Sequence, residues 1–102
     1  MGHPPRLSVD RYVLETLMPD LVGHDRSASS FLVYLALWAR TGGRAKRTAR
    51  LSLRTLAEVT GLSRRGVQGG VRNLVRRKLV ASTRGSITAV PEYAILKPWI
   101  RG

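Results

Sequence analysis

Between Ser63 and Lys78 the chain reads SRRGVQGGVRNLVRRK, and its polar residues recur at helical spacing. Placed at about 100° per residue from Val67, Gln68, Arg72, Arg65, Arg76 and Gly69 fall at roughly 100° to 200°. Val71, Leu74, Val75 and the aliphatic stem of Lys78 fall within ~80° of Val67 on the same wheel. One face is suited to packing and the other is cationic. The chemistry open to such a face is hydrogen bonding and charge neutralisation. An arginine fork fits guanine O6 and N7 or a phosphate, and a glutamine amide fits adenine. Arg65, Gln68 and Arg72 are the candidates for base edges. Gly69 stands among them because a missing side chain lets the helix backbone approach a ligand closely.

The same segment lies in a concentrated field. Arg40 through Arg84 holds thirteen Lys or Arg and one acid, Glu58, and so carries the whole net charge of +12. The rest of the chain balances Arg6, Arg11, Arg26, Lys97 and Arg101 against Asp10, Glu15, Asp20, Asp25 and Glu92. A surplus confined to one segment attracts a polyanion in a fixed orientation. The segment contains no Phe, Tyr or Trp on which unpaired bases could stack, which favours duplex DNA over RNA. Candidates for phosphate contacts are Arg44, Lys46, Arg47 and Arg50, in a run read as an exposed basic loop. Arg54, Ser63, Arg64, Arg76 and Arg84 join them at the helix ends and beyond. Arg76, Arg77 and Lys78 also suit a helix C-terminus whatever the function.

The elements that must aim these residues are legible in outline. With 102 residues, 43% of them apolar, residues 1–102 form one domain. Ser8 is placed to cap a first helix over 8–18, carrying Val9, Val13, Leu14, Leu17 and Met18 and stopped by Pro19. Residues 28–40 are apolar nearly all round, which calls for a central helix or a subunit interface. Thr41, Gly42 and Gly43 end it, and Thr48 to Leu51 suits a short strand. Ser52 caps a helix over Leu53 to Thr60, Gly61 breaks it, and Ser63 caps the next, making 53–78 a helix pair. Leu79 to Thr83 and Glu92 to Leu96 read as strands of a hairpin within 79–97. The fold class is therefore mostly α with a small β-hairpin. Gly66, Gly69 and Gly70 each cost the second helix ~1 kcal/mol relative to Ala. On the wheel Gly66 and Gly69 face outward, and Gly70 lies at the apolar edge, where it would admit a neighbouring helix.

Two short helices joined at a glycine turn, with a hairpin directly behind, are a known arrangement. Leu56, Ala57, Glu58, Gly61, Leu62, Ser63, Val67, Val71, Leu74, Leu79 and Val80 carry a resemblance to the bacterial winged helix-turn-helix DNA-binding family. It covers Leu51 to Trp99. The glycines at 66, 69 and 70 depart from the family, which usually places Thr, Gln, Ala or Ile there. The resemblance implies helix 63–78 in the major groove, sequence-specific double-stranded DNA binding, and transcriptional regulation by occluding an operator. It also allows a plasmid or phage replication or partition factor, or a winged-helix protein or RNA interaction module. A homodimer through helices 8–18 and 28–40 would match a palindromic site.

Other classes find little support. There is no cysteine, and the two histidines, His3 and His24, stand apart from any ligand set. No metal and no cofactor is expected. No lysine-bearing glycine-rich phosphate loop and no Ser/His/acid set is present, so no enzyme is expected. The longest apolar run, Phe31 to Ala39, has nine residues, against the ~20 that span a bilayer. No signal-peptide apolar region opens the chain, and Arg6 stands where N-myristoylation wants Ser or Thr. The expectation is a cytoplasmic, nucleoid-associated bacterial protein. Met18, Trp38 and Trp99 are read as packing residues.

Overall fold

The computed structural model describes residues 5–86 and 89–100, and about half of the chain is helical. Two π-helical segments, π1 (Val13–Leu17) and π2 (Pro19–His24), precede α1 (Ala28–Thr41), β1 (Thr48–Arg50), α2 (Leu53–Thr60), α3 (Arg64–Arg76), β2 (Val80–Thr83) and β3 (Glu92–Ile95).

The N-terminal helix departs from expectation at both ends. Ser8 does not cap it; its carbonyl accepts a bond from Trp38 Nε1 at 2.8 Å, and helical bonding starts where the Val13 N–H meets the Asp10 carbonyl. Pro19 does not stop it either. A proline removes one rung of α-helical bonding and crowds the carbonyl four residues back. Here the chain on both sides is wound wider, with i→i+5 bonds from Met18 to Val13 and from Asp25 to Asp20. Two ridges result at four-residue spacing. Val13, Leu17 and Leu21 are buried, while Leu14, Met18 and Val22 are exposed.

Helix α1 is the central helix. Ser27 caps it by accepting from the Ser30 N–H, and Phe31, Val33, Tyr34, Leu37 and Trp38 are buried. It packs against π2, α2, α3 and the sheet. The Tyr34 hydroxyl donates to the Leu96 carbonyl at 3.0 Å, fixing the helix to the chain beyond β3. Gly42 ends α1 in the left-handed region. Gly43, also left-handed, lies so close to the Trp38 ring that a Cβ would come within 2.5 Å of it.

The sheet has three antiparallel strands in the order β1-β3-β2, where a two-stranded hairpin was expected. Val80 pairs with Ile95 and Thr83 with Glu92, as a hairpin requires. Thr48 pairs with Ala94 on the opposite edge of β3, so the short strand expected over Thr48 to Leu51 forms as Thr48–Arg50 and takes Arg50 out of the basic loop. That pairing spans more than forty residues and leaves no local signal. Behind the sheet, Leu51, Leu56, Val67, Leu74, Leu79, Val80, Tyr93 and Ile95 join α1 in one core.

The helix pair follows the sequence closely. Ser52 Oγ accepts from the Thr55 N–H, Gly61 closes α2 at φ 77°, and Ser63 Oγ accepts from the Gly66 N–H. At the far end α3 stops at Arg76, two residues before the expected Lys78. The Lys78 N–H bonds the Val75 carbonyl and the Leu79 N–H bonds the Leu74 carbonyl. This is a Schellman closure, and its left-handed position, usually glycine, is held by Lys78 at φ 58°. The Lys78 stem is therefore exposed and outside the packing stripe.

Candidate nucleic-acid interface

The site is best built from its acids, because they decide which cations remain available. All six have a cation within 4.0 Å: Asp10 pairs with Lys97, Glu15 with Arg11, Glu58 with Arg54, Glu92 with Arg50, and Asp20 and Asp25 with Arg77. Among the described residues no acid lies within that distance of Arg44, Lys46, Arg47, Arg64, Arg65 or Arg72. The acids hold the fold together and leave a cationic face uncompensated. Such a face concentrates anions.

Helix α3 presents two chemically distinct sides. On the inner side Val67, Gly70 and Leu74 are buried. A Cβ on Gly70 would lie 3.0 Å from the Ser29 carbonyl, so this glycine admits the start of α1 as expected. The Ser30 hydroxyl donates to the Gly70 carbonyl at 3.4 Å across that contact. Next to it, Asn73 Nδ2 donates to Asp25 Oδ2 and to Ser30 Oγ, each at 3.0 Å. Arg77 donates to Asp25 Oδ1 at 2.6 Å and also bonds Asp20. The Asp25 carboxylate is 5% exposed. Burial raises its pKa, but hydrogen bonds from Asn73 and His24 and the charge of Arg77 outweigh burial and hold it below the ordinary 3.8. Hydrogen bonding to Asp20, followed by the two carboxylate charges, raises Arg77.

The outer side carries Arg64, Arg65, Gln68, Gly69, Arg72 and Arg76, all exposed. Arg65, Gly69, Arg72, Asn73 and Arg76 line one shallow groove of about 380 Å³. Gln68, Val71, Arg72 and Val75 line a second, of about 480 Å³, whose other wall is Leu53, Ser82, Arg84 and Tyr93. A third, about 720 Å³, runs from Arg84 and Gly85 to Arg50 and Glu92. Arg72 belongs to the first two grooves and Arg84 to the last two. The surface from the middle of α3 across the β2–β3 turn to the end of β1 is therefore continuous.

That continuity brings together Arg65, Gln68, Gly69, Arg72, Arg76, Arg84 and Arg50 of the residues picked from the sequence. Two of these need refinement. Arg76 bonds the Asn73 Oδ1, so its guanidinium is tethered. Arg50 stands in β1 opposite Glu92, which it meets at 3.1 Å, instead of in a loop. Glu92 lies below its ordinary range through hydrogen bonds from Thr48 first and then Arg50. Gly69 has open space where a Cβ would project, whereas Gly66 is half-buried over Ser63 and Leu62 and does not face freely outward. Arg54 is paired with Glu58 at 3.2 Å. The Ser63 oxygen is engaged as the α3 cap, although its own proton remains free to donate. Arg44, Lys46 and Arg47 are exposed ahead of β1 but line none of the three grooves.

Sequence reading missed two features. Val75 was assigned to the packing stripe but is 43% exposed, at that stripe's edge, in the second groove. Asp25, read as loop polarity beside His24, is instead the buried hub of the inner side. Asp20, His24 and Asp25 place three ligand-type atoms within 4.8 Å of one another. Arg77 bonds both carboxylates there. The signal for the hub was weak: Asn73 and Arg77 are polar residues on the inward side of the wheel.

Compared with family models, with curated proteins and with solved structures, the chain gives no match in any of the three.

Proposed function

We propose that this chain is a winged helix-turn-helix protein that binds double-stranded DNA with sequence preference, laying α3 in the major groove. The observation that carries the reading is the outer side of α3. Arg65, Gln68, Gly69 and Arg72 stand open on one helix face that no acid among the described residues pairs. An α-helix is about as wide as the major groove admits. In this reading Arg65, Gln68 and Arg72 meet base edges, and Gly69 lets the backbone come close. The α3 amino end with Arg64 and Ser63, the tethered Arg76, Arg84 on the β2–β3 turn and Arg50 on β1 then contact phosphates. Arg44, Lys46, Arg47 and Arg54 add to the field around the site.

A regulator that occludes an operator is the role this surface suits first, because occupying the groove with α3 is by itself enough to block a site. A replication or partition factor would use the same surface. The cytoplasm, at the nucleoid, is where such a protein would meet its target. Among the described residues no helix is long and apolar enough to cross a membrane.

A homodimer would present two such helices to a palindromic site. Leu14 and Met18 in the first helix, Leu32 on α1 and Val22 on π2 are exposed apolar residues that such a dimer would bury. Sedimentation at micromolar concentration that finds only monomer would remove this part of the proposal.

Selection of bound duplexes from a random pool tests the main reading. The expected result is one enriched motif, displaced poorly by single-stranded RNA. RNA that competes as well as unlabelled duplex would refute it.

A further inference from the structure

Packing does not account for Val75. It is 43% exposed although it belongs to the apolar edge of α3. With half-buried Val71 and Leu53 and buried Tyr93 it makes the apolar floor of the groove between α3 and the sheet, under a rim of Gln68, Arg72 and Arg84. Burial raises the Tyr93 phenol, with the Arg84 charge acting against it, so an apolar floor lies beneath a charged rim. Around the helix Val75 lies within roughly 20° of Gln68 and 60° of Arg72. Along the axis it stands about 4.5 Å beyond Arg72 and about 10.5 Å, two turns, beyond Gln68.

Base edges in the major groove offer donors, acceptors and one apolar group, the 5-methyl of thymine. A glutamine that pairs with adenine and an apolar contact to thymine need no change of groove. We propose that Val75 reads a thymine 5-methyl group in the same groove as the base read by Gln68, two turns along α3 from it, which places an A·T pair in the sequence this surface prefers. The inference rests on the DNA-binding reading above and names the feature of the target that the groove recognises. Arg72 and Arg84 on the rim fix the register by charge. The valine contributes the selectivity they lack, since a guanidinium gains nothing from a methyl group.

The test replaces thymine by deoxyuridine, one position at a time, in a duplex recovered from the random pool. This deletes the methyl group and leaves every hydrogen-bonding atom in place. For the full chain, one position should weaken binding about four-fold, the effect of losing one buried methylene-sized group. Val75→Ala should bind the thymine and uracil duplexes equally at that position, whereas Gln68→Ala should keep the four-fold difference. Val75 is exposed and alanine favours helix, so the variant folds. Circular dichroism confirms this before binding is measured. The inference is overturned if no thymine in the recovered site is sensitive, or if Val75→Ala retains the full sensitivity. A pool that enriches no duplex would instead overturn the DNA-binding reading itself, and the inference with it.

Discussion

Arg72 and Arg77 stand five residues apart in the same basic stretch, yet the fold gives them opposite tasks. Arg77 is 26% exposed and bonds two carboxylates from π2 and the chain just beyond it. Arg72 is exposed at the meeting of two grooves with no acid near it among the described residues. Their chemistry is identical, so the difference comes from Asp20 and Asp25, some fifty residues earlier in the chain. A basic segment is therefore not one surface. Its inner cations serve the fold, and only those the acids leave open are available to an external anion.

The sharpest way to break this comparison is to remove one member of the inner pair. Arg77→Ala takes the guanidinium nearest the 5%-exposed Asp25 carboxylate, leaving it His24 at 3.0 Å and the exposed Arg76 at 4.0 Å, and removing one partner of a buried ion pair costs roughly 3 kcal/mol. The expected result is a marked fall in the denaturation midpoint, with residual duplex binding scaling with the folded fraction. Asp25 gives the same contact a pH signature. Its folded pKa lies below 3.8, so its contribution is fully present above that value and is lost as pH falls through the folded pKa. Asp25→Asn should lower stability at neutral pH and flatten the decline of stability in acid. An unchanged acid limb in that variant would detach Asp25 from the network.

The outer arginine should show the reverse pattern. Arg72→Ala is expected to leave the midpoint within about 0.5 kcal/mol, as exposed positions do. Its duplex affinity should fall by ~1 to 3 kcal/mol, with relaxed preference at particular base pairs. Arg47→Ala serves as the control for charge alone. It should weaken all sequences alike and reduce the log-log salt slope by ~0.9, because that fraction of a counterion is released per neutralised phosphate. If Arg72→Ala and Arg47→Ala behave identically, the division between base and phosphate contacts does not hold.

Legibility followed sequence distance. The caps at Ser52, Ser63 and Gly61 involve bonds spanning two to four residues, so their residue types placed α2 and both ends of their junction to the residue. The pairing of β2 with β3 was legible too, because both strands flank one turn. The β1–β3 pairing and the Asp25–Arg77 bond were not, since each joins segments more than forty residues apart. The first helix misled for another reason. Ser8 and Pro19 are sound local signals, but the tertiary packing of Val13, Leu17 and Leu21 favours a wider winding that runs through the proline. At the site, the wheel separated Arg65, Gln68, Gly69 and Arg72 from the core correctly. It could not tell that Val75, on the packing side, is left exposed in the groove between α3 and the sheet.

The smallest predicted effect separates two neighbouring glycines and with them the two sides of α3. Gly70→Ala would set a Cβ 3.0 Å from the Ser29 carbonyl, tighter than nine in ten real contacts, so α1 and α3 must give by a few tenths of an ångström. A loss of ~1 to 3 kcal/mol is expected, as for other overpacked contacts. Gly69→Ala meets nothing within 4 Å. In a helix interior it should therefore stabilise the protein by up to ~1 kcal/mol, through higher helix propensity and a less flexible unfolded chain. If the bare backbone at Gly69 lets α3 seat deeply in the groove, the same methyl must hold the helix away from DNA. The variant would then be more stable and bind duplex more weakly, and denaturation and binding measured on one preparation would show the two changes with opposite sign. A Gly69→Ala protein that gains stability and loses no affinity would mean that the α3 backbone does not approach DNA there. The cationic side chains would then carry the contact alone.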